Sequence, residues 1–128
     1  MNKRSLLRGA LAALGAGLTG AAAAAARRCV LIQHSPLAGF QYHAGAALWP
    51  QLAVGQPLVL VREPANRHDE RAVRIDWHGR KLGYLPRAQN TAVAQMLDRG
   101  EQLRARVAQL RTSPDPWERV TVEVFLDA

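Results

Sequence analysis

Cysteine is almost missing: Cys29 is the one thiol in a chain of 128 residues. No intramolecular disulfide and no cysteine-based zinc site can be built from it. It lies in the apolar run Cys29-Val30-Leu31-Ile32, where a buried thiol is expected. Arg27-Arg28 stand where a lipid-anchored cysteine would need small residues. Catalytic signatures are missing too. The four histidines His34, His43, His68 and His78 show neither HxH nor HExxH spacing, so no metal site is expected. There is no G-x-S-x-G nucleophile turn and no G-x-x-x-x-G-K-[ST] phosphate loop. No catalytic residue, cofactor or metal is therefore assigned. A hydrolase using His68 and Asp69 is the weakest of the alternatives.

A strong charge of one sign is lacking as well, despite a formal net charge of +7 from 17 basic and 10 acidic groups. Lys3, Arg4 and Arg8 fall in a leader-like segment, and without them 14 basic groups face 10 acidic ones. Arg27 and Arg28 supply two of the remaining +4, leaving about +2 on the folded part, which permits contact with a polyanion without requiring it. Only two of the basic residues are Lys; the Arg excess fits a GC-rich coding sequence as well as a phosphate partner.

The chain begins as a targeting segment does. Met1–Arg8 is basic, and Leu6–Ala26 is small and apolar, ending in six alanines with A-x-A cleavage positions. Lys3-Arg4 followed by Leu6-Leu7 is similar to a twin-arginine export signal. The expectation is a signal peptide over residues 1–26 and an exported, periplasmic domain over 29–126, monomeric and off the membrane after cleavage. An uncleaved N-terminal membrane anchor is the alternative, weakened by Arg8, Thr19 and four glycines.

The rest is organised around Leu58–Arg87. Cys29–His34 reads as a first strand, broken by Ser35–Gly39. Phe40–Ala44 alternates, putting Phe40, Tyr42 and Ala44 on one face. Gly45–Leu52 is ambiguous, with a turn of helix closed by Pro50 as one option. Leu58–Arg62 has almost no polar interruption and is expected to be central and covered on both faces. Ala72–Trp77 and Lys81–Leu85 form a hairpin across His78-Gly79. Ala88–Arg99 has apolar groups at 88, 92, 93, 96 and 97, the spacing of an amphipathic helix, with Gly100 at its left-handed cap. Leu103–Ala108 and Val120–Leu126 close the chain as strands around a Pro-rich turn at Thr112–Trp117. The predicted fold is mainly β: a small OB or SH3-like β-barrel of about six strands with one or two short helices.

The loop Glu63–Arg71 between the first two central strands combines turn formers with recognition chemistry. Pro64, Asn66 and Asp69 suit tight turns. Arg67 and His68 project from the same loop, where they can meet a phosphate or stack on a base. The carboxylates Glu63, Asp69, Glu70 and Asp76 alternate with arginines, as solvated ion pairs do. Tyr42 is an aromatic candidate on a neighbouring strand, equally suited to the core.

LVREPANRHDERAVRI followed by GRKLGYLPR, with GFQYHAG upstream, resembles the HIRAN domain. The resemblance spans about Val30 to Val124 and rests on Asn66, Asp69, Ala72, Gly83 and Pro86 at matching spacing. It implies a modified OB-type barrel that binds nucleic acid. In a eukaryotic member two aromatics hold the terminal base of single-stranded DNA and an Asp binds the 3′-hydroxyl. By resemblance the first aromatic falls on Tyr42, the second position on His68 and the acid on Asp69, while Gln41 stands where that member has an Arg. The ATPase and zinc-binding modules that accompany the domain elsewhere have no counterpart here. The expected binding residues are thus Gln41, Tyr42, Asn66, Arg67, His68 and Asp69, and the expected partner is single-stranded DNA. The alternative, drawn from the leader, is a periplasmic peptide or small-molecule binding module with a protein partner, using the same cleft.

Overall fold

The computed structural model describes residues 29–127; the leader read over residues 1–26 lies outside the described residues. Six strands carry the fold: β1 (Cys29–Pro36), β2 (Pro57–Glu63), β3 (Ala72–Trp77), β4 (Arg80–Tyr84), β5 (Leu103–Leu110) and β6 (Val120–Asp127). Two short helices are inserted, α1 (Gly45–Leu48) and α2 (Thr91–Asp98). The sheet order is β1-β6-β5-β2-β3-β4, antiparallel throughout. β2 links the two halves: Pro57 and Leu58 pair with β5, and Val59–Glu63 pair with β3.

The two outer strands meet just beyond β1. Ala38 and Tyr84 exchange both backbone hydrogen bonds, at 2.8 and 3.0 Å, while the Leu37 N–H donates back to Val120 of β6 at 3.0 Å. This seam turns the sheet into a barrel and hides edge groups that would otherwise need other partners. Gly83 makes it possible: a Cβ there would collide with the Ala38 carbonyl oxygen and crowd the Leu37 side chain.

Alternation places Val73, Ile75 and Trp77 of β3 and Val120, Val122 and Val124 of β6 in the core, with Ala105 and Val107 of β5. The β3–β4 hairpin turns through His78 and Gly79, both with positive φ, as a two-residue turn of this hand demands. A bulge opposite Ile75 and Asp76 breaks the alternation of β4, so Leu82 and Gly83 are both buried. α2 ends on Gly100 at φ 81°, whose N–H bonds to Leu97 O while that of Glu101 reaches Met96 O.

The structure departs from the sequence reading in several places. Phe40–Tyr42 is a 3₁₀ turn, not a strand, so Phe40 is fully buried while Tyr42 is 77% exposed. A three-residue repeat carries successive alternate residues to different sides, and the shared face with Phe40 is lost. β2 is central but not covered on both faces, since Val59 is exposed beside buried Leu58. The expected helix from Ala88 begins at Thr91, preceded by a separate 3₁₀ turn at Arg87–Gln89; Ala94, not Ala88 or Ala92, joins Val93 in the core. Cys29 is exposed rather than buried, with its thiol 3.2 Å from an Asp127 carboxylate oxygen. The Glu63–Arg74–Asp76 ion pairs, at 2.9 Å each, are partly buried rather than solvated.

Candidate nucleic-acid interface

The loop after β2 is built around Asn66. Its side-chain oxygen accepts the N–H groups of His68 at 2.9 Å and Asp69 at 3.1 Å, and its amide donates to Glu63 at 2.9 Å. Asp69 continues the pattern. One carboxylate oxygen accepts the Arg71 N–H at 3.0 Å and the other accepts the amide of Asn90 at 2.7 Å. Asn90 is wholly buried at the start of α2, so it anchors the loop to the body of the domain. Short polar side chains reaching nearby backbone donors are why this Asn and Asp form a rigid loop rather than a slack one.

Two adjoining clefts open around this loop. One, of about 410 Å³, is lined by Ala38, His43, Asn66, His68, Asp69, Ala72, Lys81, Tyr84, Leu85 and Arg87. The other, of about 330 Å³, runs over Asn66–Arg71 to Arg87 and is almost entirely polar in its side chains. Arg67, Arg71 and Arg87 have no carboxylate within ion-pair distance among the described residues. Three exposed guanidiniums thus share this second cleft with the carboxylates Asp69 and Glu70, and the charges of Arg71 and Arg87 reach Asp69.

In the larger cleft, the Tyr84 hydroxyl donates to Glu63 at 2.8 Å and accepts from Lys81 Nζ at 3.2 Å. His43 sets its ring edge-on to Tyr84 at 5.8 Å between centroids. Partial burial pushes the Glu63 carboxyl up, but hydrogen bonds from Asn66, Tyr84 and Arg74 and the Arg74 charge hold it below its ordinary value. Asp69 follows the same pattern: burial opposes, yet the Arg71 N–H, the Asn90 amide and the charges of Arg87 and Arg71 keep it lowered. Both carboxyls thus have depressed folded-state values. The stability they lend is complete above their unfolded values near pH ~4 and lost as pH falls through the folded ones. Melting temperature should therefore fall steeply in the acid range below 4, after a shallower decline between neutral pH and about 5 from His43, whose imidazole is held below its ordinary value in the fold. Glu63→Gln should flatten that slope; a melting temperature unchanged between pH 5 and 3 in the wild type contradicts the assignment.

Of the residues named from the sequence, Asn66, Arg67, His68 and Asp69 lie together at the clefts. Gln41 and Tyr42 do not line either cleft. They sit on the 3₁₀ turn leading into His43, which does, and both are exposed. That turn packs against a second 3₁₀ turn, Pro116–Glu118, which carries Trp117, 49% exposed. Tyr42 and Trp117 thus come from neighbouring turns, though Trp117 itself lines a separate cleft with His34, Gln109, Arg111 and Thr121. Sequence reasoning missed His43, Lys81, Tyr84, Arg87 and Trp117. They are scattered in the chain, although His43 lies within GFQYHAG and Lys81, Tyr84 and Arg87 lie within GRKLGYLPR, the stretches that carry the resemblance. Among the described residues no group of three or more His, Cys, Asp or Glu is gathered closely enough to hold a metal ion.

The HIRAN domain family matches residues 32–128 of the chain. A solved protein from Lactobacillus plantarum is 26% identical with a TM-score of 0.67, the alignment covering 78% of this chain and 96% of that one. The HIRAN domain of human HLTF shares the fold at 19% identity and a TM-score of 0.57, over 77% of this chain and 78% of that one. None of the curated proteins compared matches. With most of its length matched, and its six-stranded barrel shared with a solved HIRAN domain, this chain belongs to the HIRAN domain family, whose members are nucleic-acid-binding modules.

Proposed function

We propose that this chain is a non-catalytic module that binds single-stranded DNA at a free 3′ end. The observation that carries the reading is the carboxylate of Asp69, held ionised by the Arg71 N–H, the Asn90 amide and the charges of Arg87 and Arg71, in a cleft that Arg67 also lines. An ionised carboxylate accepts hydrogen bonds and repels phosphate, so it favours a strand ending in a hydroxyl. The arginines neutralise the backbone phosphates behind that end. Tyr42 and Trp117, exposed on adjoining turns, offer faces on which bases stack without regard to sequence. His68 at the cleft is a third, weaker stacking group.

Fluorescence anisotropy with a 5′-labelled oligothymidine tests this reading. Binding should weaken as salt rises, by roughly 0.7 log units per tenfold salt for each phosphate neutralised. A 3′-phosphate should cost the wild type about tenfold in affinity, equal to about 1.4 kcal/mol, and Asp69→Asn should narrow that gap. Tyr42→Ala should lose about 1–3 kcal/mol of stacking. Absence of binding at low salt, or binding indifferent to both substitutions, refutes the proposal.

A further inference from the structure

Lys81 is the one lysine among the described residues; it lines the larger cleft and is partly buried, where Arg67, Arg71 and Arg87 are exposed. No carboxylate lies within ion-pair distance of it among the described residues. Its ammonium spends one of three donors on the Tyr84 hydroxyl and rests 5.2 Å from the centre of that ring. The nearby carboxylate, Glu63, is already satisfied by Arg74, Asn66 and Tyr84. His43 meets the same tyrosine ring edge-on and lines the same cleft. Ala38, Ala72 and Leu85 are the apolar residues of the cleft lining. A partly buried lysine with two ammonium donors not used by protein groups, in a cleft shared with an imidazole and apolar side chains, favours an anion in place of water at those donors.

We propose that Lys81 and His43 form a second anion subsite, distinct from the exposed arginines, that takes an internal phosphate of the bound strand. The subsite rests on the single-strand reading for its ligand but not for its chemistry. The groups facing His43 are Lys81 and Tyr84 of β4 and Glu63 of β2, with Asp69, His68 and Arg87 around the same cleft. Burial first, then the charge of Lys81, hold the imidazole below its ordinary pKa, against a smaller opposite pull from Glu63. His43 is therefore neutral without ligand near neutral pH, and a bound phosphate raises its proton affinity. The strand is gripped more tightly as pH falls.

The test uses the full chain, with His43 followed by NMR through a pH titration, alone and with two probes: oligothymidine and inorganic pyrophosphate. Either probe should move the His43 titration to higher pH in the wild type and fail to do so in Lys81→Gln. Lys81→Gln should also weaken oligothymidine about tenfold, the low end for a charge-assisted hydrogen bond. His43→Gln should abolish the part of the pH dependence that His68→Gln leaves intact. A shift with pyrophosphate but no binding of oligothymidine keeps the subsite and removes the single-strand reading. A His43 titration indifferent to both probes overturns the subsite.

Discussion

Gly83→Ala should lower the melting temperature of the domain by on the order of 15 °C. The added Cβ would sit against the Ala38 carbonyl oxygen and press on Leu37, both part of the seam that closes the barrel. That oxygen is fixed by the Tyr84 N–H at 3.0 Å and cannot retreat without giving up the bond. Overpacking of this kind costs about 1–3 kcal/mol, and each of the two seam hydrogen bonds adds about 1 kcal/mol if it parts. At ~4–8 °C per kcal/mol for a domain of this size, a shift of about 15 °C follows. Circular dichroism melts measure it directly, and a drop below about 2 °C shows that the seam bears little stability. Lys81 and Tyr84 hang on the same strand, so ligand affinity should fall with the seam even where the variant is folded.

Phe40→Ala should be nearly as damaging, at about 3–5 kcal/mol for a buried phenyl ring lost to a cavity. Phe40 is fully buried, meets Trp49 edge-on at 5.9 Å and 80°, and lies so close to Gly45 that a Cβ there would overlap the ring. The edge-on pair contributes about 0.5–1.5 kcal/mol beyond burial. This ring is the anchor of the turn whose next residues are Gln41, Tyr42 and His43. Phe40→Leu, which keeps most of the volume, should stay folded and lose oligothymidine affinity through a loosened turn. Chemical unfolding and anisotropy on the two variants separate these effects; an Ala variant within about 1 kcal/mol of wild type excludes the anchoring role.

Much of the barrel was legible because strands with one buried face print their period on the sequence. The alternation of Val73, Ile75 and Trp77, and of Val120, Val122 and Val124, needs no partner to be recognised. His78-Gly79 marks its hairpin by the chemistry of positive φ. Phe40–Ala44 misled for the same reason: three residues of a 3₁₀ turn also place two aromatics two apart, and only burial separates the cases. The loop Asn66–Asp69 was readable as a unit because its contacts are local. His43, Lys81, Tyr84 and Arg87 meet it only after β4 has paired with β3 and with Ala38, through contacts that no short window contains. Asn90 reaches Asp69 across 21 positions, and nothing near Asn90 in the chain announces it.

Cys29 pairs with Asp127 across β1 and β6, so the two ends of the described domain lie side by side on neighbouring antiparallel strands. Paired residues on such strands are separated by about 4.5–5.5 Å, little more than one peptide step. A fold with its ends so placed behaves as a cassette. It can be spliced into a surface loop of a host protein without prising the host apart, and it can be rejoined end to end and reopened at the exposed His78-Gly79 hairpin. Pulling on its two ends would also unzip β1 from β6 one hydrogen-bonded pair after another, rather than shear the whole ladder at once. The same architecture thus makes the domain mechanically soft along the line through its two ends.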